Sequence, residues 1–425
     1  HFIAKFVNAS TVDGFNPYRL TSEGVDWEVA DPDDPWSYIG YWGDHQIVYL
    51  LRFLEALARH APGRLEELLG QEIFCYTEVP YRLAPYEKIV EHPRATIHYD
   101  IEAAARIAER VRSLGSDGKL VADRQGGVYH VNLLEKLLVP ALSKLSNFVP
   151  LAGIWMNTQR PEWNDANNAL AGGAASVVTL CHLRRYLAFL TDVLEESADA
   201  TLPVSAEVAA WLAAVAGILD EEAAVLGAAA CDTRDRRRVM DRLGGAFSDY
   251  RETVYARGFS GQAAIPVARA AAACRTALRW VDRSIAANRR ADGLYHAYNL
   301  LEIGDGAAGV RLGRLPEMLE GQVAALSSGL LDAAESLEVL ERLFASDLFR
   351  PSQRSFMLYP ERELPDFLER NVAPAAAAAA IPLLRDLLAA GDETLLAPDE
   401  DGRLRFHGDL ANARDLAAAL DGLAA

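Results

Sequence analysis

Apolar residues recur at helical spacing through most of this chain, and the alternation that marks strands is rare. From about Asp44 to His60, the positions Ile47, Val48, Leu50, Leu51, Phe53, Leu54, Leu57 and Ala58 cover most of a helix circumference. Such a helix is buried on most sides. Amphipathic helices are predicted over Asp100–Leu114, Val131–Asn147, Asn168–Glu195, Ala206–Ala229, Thr233–Arg257 and Gln262–Asn288. Others are predicted over Glu317–Ser328, Asp332–Ser346, Glu363–Glu369, Ala375–Ala389 and Leu410–Ala424. Strand signals are few: Lys119–Val121 and Val128–His130 read as a hairpin across Gly126 and Gly127, and Arg403–Phe406 as one more short strand.

Very apolar helices interspersed with polar ones, and almost no sheet, point to two concentric layers of antiparallel helices, the inner layer apolar nearly all round. An internal echo fits a cyclic arrangement: GVYHVNLLE at Gly127–Glu135 returns as GLYHAYNLLE at Gly293–Glu302. An open solenoid has no support, since no fixed repeat length runs along the chain. The whole of 1–425 reads as one domain. Its first part, 1–41, is an irregular, aromatic-rich entry broken by Pro17, Pro32 and Pro35, expected to pack across the mouth of the helical body.

Composition narrows the classes. With 425 residues, 51% hydrophobic and 24% charged, the chain is an ordinary globular one. A net charge of -18 argues against a nucleic-acid or anionic-membrane partner, and the basic run Arg234–Arg242 is interrupted by Asp235 and Asp241. Cys75, Cys181, Cys231 and Cys274 are far apart and form no metal-ligand spacing, so no metal or cofactor is expected and a reducing cytoplasm is the simplest compartment. No apolar run is long enough to span a bilayer, the richest, Val372–Leu384, holding Pro374 and Pro382. The chain starts at His1 and stops inside an Ala/Leu helical pattern, which allows for a piece of a longer polypeptide.

The densest chemistry lies in Trp155–Leu170, which gathers two tryptophans, Arg160, Glu162, Asp165 and several amides ahead of an apolar run. Pro161 and the Asn/Asp cluster predict a loop leading into the helix that starts near Asn168. Indole faces stack on the C–H face of a pyranose, and amides and carboxylates satisfy its hydroxyls. A carboxyl group beside an apolar wall can serve as a general acid, and Asp165 beside Trp163 fits that role. The alternative is a capping Asp165, with Trp155 and Trp163 filling a core beneath a surface loop.

GYWGDHQ at Gly40–Gln46 ahead of a buried helix, followed by EWNDANNAL at Glu162–Leu170, resembles the catalytic toroid of the six-hairpin glycosidase superfamily. Within it the likeness is closest to glycoside phosphorylases of the cellobiose phosphorylase type. The resemblance implies an all-α, (α/α)6 toroid with short β-hairpin insertions, Asp44 as a sugar ligand, and Trp163-Asn164-Asp165 as the acid loop with Asp165 the acid. Ala166-Asn167-Asn168 follow the triplet where the family has Gly or Cys, and Gly43 precedes Asp44 where the family often has Arg.

An inverting hydrolase also needs a base to activate water, whereas a phosphorylase needs none because phosphate is the nucleophile. Glu320 in RLPEMLEGQ is the preferred base, ahead of Glu317, Glu302, Glu361 and Glu363, although first-turn glutamates also serve as plain helix-dipole partners. Tyr41 and Trp42 are expected as a stacking platform, Asn164 as a hydroxyl ligand, and Arg160 either as a sugar or phosphate ligand or as a partner of Glu162. His130 and His296 could line a cleft or be structural, and Tyr359 and Arg354 are expected at the same end of the barrel. The expected activity is inverting hydrolysis of an oligosaccharide. Its rivals are phosphorolysis by the same acid and a non-catalytic carbohydrate-binding scaffold.

Overall fold

The computed structural model describes residues 2–16, 19–20, 25–26, 46–157, 169–227, 231–304, 309–361 and 366–424. The chain forms two compact units, His1–Pro360 and Glu361–Ala425.

In the first unit the helices follow the predicted pattern where a capping residue marks the start. Asp100 accepts from the Ala103 amide ahead of Ile101–Leu114, Asn132 from Glu135 ahead of Leu133–Ser146, and Asp332 and Glu335 form a reciprocal capping box before Ala333–Phe344. Every residue of Leu133–Ser146 is buried.

Contacts give the helix directions. Glu195 meets Arg275 while Arg184 meets Asp282, so Val177–Glu196 and Val267–Ala287 are antiparallel. Trp211 stacks on Phe247 and Tyr250 while Glu222 holds Arg238, which sets Ala206–Glu221 against Thr233–Arg257 in the same way. Asn132 bonds to Pro203 and Ser146 to Trp211, so Leu133–Ser146 runs with Ala206–Glu221. The Ser205–Gln262 pairing and the Trp280 bond to Leu219 show that Val267–Ala287 runs that way too. Successive helices therefore alternate in direction, and the body has two ends.

One end carries the antiparallel hairpin of Thr201–Ser205 with Gln262–Pro266. The other carries a five-stranded sheet in the order Val310–Arg314, Tyr298–Ile303, Ala174–Ser176, Gly153–Trp155, Phe148–Val149, antiparallel throughout. Ile154, Met156, Ala174 and Tyr298 face the main core, while Trp155, Ala175, Leu301 and Val310 face a second cluster with Tyr86 and Met240. The all-α expectation is thereby corrected. Val177–Glu196 begins later than predicted because Ala174–Ser176 is spent as a strand, and Gln262–Pro266 likewise delays the helix at Val267. Lys119–Val121 and Val128–His130 do approach each other, but through the isolated bridge Ala122↔Val128 and the Tyr129 amide bond to Val121.

The echo also divides. Its first copy enters a helix at Leu133, its second a strand at Tyr298, and the two stand at opposite ends of the body.

Gly153 pins the sheet. Its φ is +141°, and a β-carbon there would stand 2.6 Å from the Ser176 carbonyl oxygen, an atom fixed in the ladder. Gly153→Ala is expected to cost about 2 kcal/mol or more, read as a fall in the urea midpoint with the slope unchanged. An unchanged midpoint would show that the sheet yields at this crossing.

The second unit has its own small core around Ala373, Ala378, Leu395 and Leu396. The predicted Ala375–Ala389 helix is split into Ala375–Ala380 and Pro382–Ala390, because Pro382 drives Ile381 into extended backbone. Leu404–Phe406 is a strand, paired with Leu396–Pro398. All four cysteines are buried free thiols, and among the described residues no single helix is long and apolar enough to cross a membrane.

Candidate active site

Tyr41, Trp42 and Asp44, and Arg160, Trp163, Asn164 and Asp165, lie outside the described residues. The frame that holds both segments is described. The acid-bearing segment leaves the sheet end after Asn157 and rejoins at Ala169, so it joins the adjacent strands Gly153–Trp155 and Ala174–Ser176. Its two stems are tied together: the Gly172 amide donates to the Met156 carbonyl at 2.5 Å, and the Trp155 indole donates to the Gly172 carbonyl at 3.0 Å. Trp155 is therefore a buried strut of the stem, the core-filling role that was its alternative. The Thr96 hydroxyl holds the Asn157 carbonyl at 2.6 Å, and the Asn157 amide donates to Asn147 at 2.6 Å. A cavity of about 560 Å³ opens beside the second stem, lined by His92, Arg94, Gly172, Gly173, Leu301 and Ile303.

The chain that resumes at Gln46 starts at the same end. Past it, Gln46–Leu50 forms a π-helical turn and Leu51–His60 an α-helix. Arg185 pairs with Glu55, 130 positions earlier, and Arg52, earlier than His182 by the same interval, adds its charge to burial in lowering the His182 pKa. A constant offset means parallel helices, and carried back it brings Gln46 level with Ser176, the N-cap of Val177–Glu196. π-turns inside helices occur frequently at functional sites, and this one follows directly on the segment that holds Asp44.

Glu320 reaches the same place from a third direction. The Val177 amide donates to the Ala297 carbonyl at 2.9 Å, and Gly321 packs on the Ala297 backbone. Next along, the Tyr298 hydroxyl donates to Glu320 Oε2 at 2.7 Å. Gln322 locks the Leu319–Ser327 helix here by bonding both the amide and the carbonyl of Tyr295. The Leu319 amide donates to Leu358, so the segment holding Tyr359 does lie beside Glu320. Ser176, Tyr298 and Glu320 thus gather at the N-terminal end of one helix, with Gln46 level with Ser176 along the neighbouring one.

Of the competing glutamates, Glu363 lies outside the described residues, and two others are engaged elsewhere. Glu317 accepts from Arg290 at 3.1 Å, and Glu302 forms an exposed pair with Arg311 at 2.7 Å. His130 stands at the far end of the body and shares no cleft with His296. At the sheet end, burial together with Arg314 and Arg290 pushes the His296 imidazole down to about 4, so it is neutral at pH 7. Its Nδ1 is buried and has no hydrogen-bond partner among the described residues.

Arg314, which sequence reasoning missed, donates to the Asn288 and Asn299 side-chain oxygens, at 2.7 and 2.6 Å. Among the described residues it has no carboxylate partner, although acids outnumber basic residues in the chain. Burial and the neighbouring Arg236 lower its pKa. The only sequence signal for it was its place just ahead of Glu317 and Glu320.

Residues 364–425 match the family described as GH149 phosphorylase insertion domain 2. The matched stretch lies within the C-terminal unit. It supports a relation to glycoside phosphorylases, and so to carbohydrate-active enzymes, and it favours phosphorolysis over the hydrolysis first expected. No curated protein matches the chain.

Proposed function

We propose that this chain is the helical part of a glycoside phosphorylase, with its first unit an (α/α)6 toroid and its cleft at the sheet end. The observation that carries the reading is the match of residues 364–425 to an insertion domain of GH149 phosphorylases. The described flanks of the two motif-bearing segments, Gln46, Asn157 and Ala169, lie at one end of the body, which supports it.

In this reading Asp165 protonates the departing glycosidic oxygen while phosphate attacks the anomeric carbon. Trp163 and Trp42, with Tyr41, stack on the sugar; Asp44, Asn164 and Arg160 bind hydroxyls. Glu320 is a hydroxyl ligand, since phosphorolysis needs no base. A carboxylate behind the nucleophile would also oppose it, two like charges 4 Å apart costing on the order of 4 kcal/mol near a protein surface. Arg314, held by neutral amides, supplies positive charge at this end.

The decisive experiment is a screen of oligosaccharides with and without inorganic phosphate. Release of a sugar 1-phosphate only when phosphate is present is the expected result. Reducing sugar released at equal rate without phosphate would restore the hydrolase, and ligand binding with neither product would leave a binding protein.

A further inference from the structure

The end of the body away from the sheet holds a second cavity, of about 220 Å³, lined by Arg82, Arg106, Arg110, Asp13, Glu78 and Tyr255 among others. Three guanidiniums around one hollow are notable in a chain of net charge -18. Arg110 is committed: it donates to Glu78 at 2.6 Å and to the Gly118 and Leu120 carbonyls. Arg82 lies over the Tyr255 ring, 4.6 Å from its centre, and forms a long ion pair, at 3.8 Å, with Oδ2 of Asp100, whose Oδ1 caps the helix. Arg106 precedes Arg110 by four residues on the same helix face, and makes no ion pair among the described residues. With Arg110 balanced by Glu78, an anion between Arg82 and Arg106 would balance the guanidinium of Arg106.

The opposite wall is of another kind. Asp13 is buried and accepts from the Tyr255 hydroxyl at 2.8 Å, Thr11 and Thr77 add hydroxyls, and valines form an apolar floor. We propose that this cavity binds a small phosphorylated sugar, with the phosphate on Arg82 and Arg106 and the sugar hydroxyls along Asp13, Tyr255 and the threonines. The volume suits one monosaccharide phosphate. Arg236 touches the sheet through the Val310 carbonyl, and Tyr255 lies on the same helix. At 1.5 Å per residue, the cavity stands roughly 28 Å from the sheet end. It is a separate site, and it does not depend on the phosphorolysis reading.

The test is calorimetric titration of the full chain with glucose 1-phosphate, inorganic phosphate and glucose, in an Asp165→Asn background and with Arg106→Ala added. Arg106 is exposed at its helix surface, so the variant should fold, and circular dichroism checks it. The expected result is a glucose 1-phosphate site whose Kd rises at least tenfold in Arg106→Ala, with inorganic phosphate weaker and glucose silent. Affinity for glucose 1-phosphate that is absent, or unchanged by both Arg106→Ala and Arg82→Ala, overturns the proposal. Phosphate binding as tightly as glucose 1-phosphate overturns the sugar half of it. A chain without phosphorolytic turnover that still shows the Arg106-dependent site would separate this proposal from the failure of the proposed activity.

Discussion

Asp165→Asn is expected to lower turnover of an unactivated oligosaccharide by a factor of about 10² to 10⁴, the usual contribution of a positioned general acid, with the helical body folded as before. Each tenfold loss corresponds to about 1.4 kcal/mol of barrier. The origin of the effect can be checked with a glycosyl fluoride, whose leaving group departs without a proton from the enzyme. On that donor the variant should stay within about tenfold of the wild type, because only the acid has been removed. Glu320→Gln tells the two enzyme classes apart. If water were the nucleophile, loss of the base would match the loss of the acid; if phosphate is, only a hydroxyl contact is lost, about tenfold or less in kcat/KM. Equal and severe losses in both variants would return Glu320 to the role of base, and an Asp165→Asn enzyme of undiminished rate would remove Asp165 from the chemistry.

What could be read from the sequence follows from which forces are local. Thr233–Arg257 was bounded correctly because Asp232 caps its start and Gly258, at positive φ, ends it, both within a few residues of the apolar pattern. The sheet was hidden because nothing local creates it. Ala174-Ala175-Ser176 has helical propensity and follows an Asn-rich start, yet it is extended because strands on either side, Gly153–Trp155 and Tyr298–Ile303, supply its hydrogen bonds. Those partners lie about 20 and 120 residues away, beyond the reach of any window. The site divides along the same line. Glu320 was legible as a first-turn glutamate, but Tyr298 and Arg314 matter only through contacts with distant groups, and His296 through burial. Helix direction was legible once ion pairs were known, and it is what brings Gln46 and Ser176 to one level.

The largest expected effect on stability lies at the far end, in the most buried helix. Glu135 is fully buried and accepts from the Tyr76 hydroxyl at 2.9 Å, the Ser205 amide at 2.6 Å and the Ser205 hydroxyl at 2.7 Å. Next to it, Lys136 donates to the Cys75 carbonyl at 2.8 Å and lies 3.6 Å from the centre of the Tyr76 ring. Glu135→Ala strands three buried donors and removes the neighbouring charge that favours the ammonium, so a loss of about 3–5 kcal/mol is expected from urea unfolding at pH 7. A loss under about 1 kcal/mol would mean that water enters and replaces the carboxylate. Burial outweighs Glu135 at Lys136 and brings its ammonium from 10.5 down to about 7. Between pH 7 and 10.5 the unfolded chain therefore binds a proton that the folded chain does not. Stability must rise with pH through that window, and the gain is absent below about pH 7, where both states are protonated. The urea midpoint of the wild type is expected to climb from pH 7 to 9, and that of Lys136→Met to lack this climb. Parallel profiles for the two proteins would show that the ring and carbonyl contacts keep the ammonium charged inside the fold.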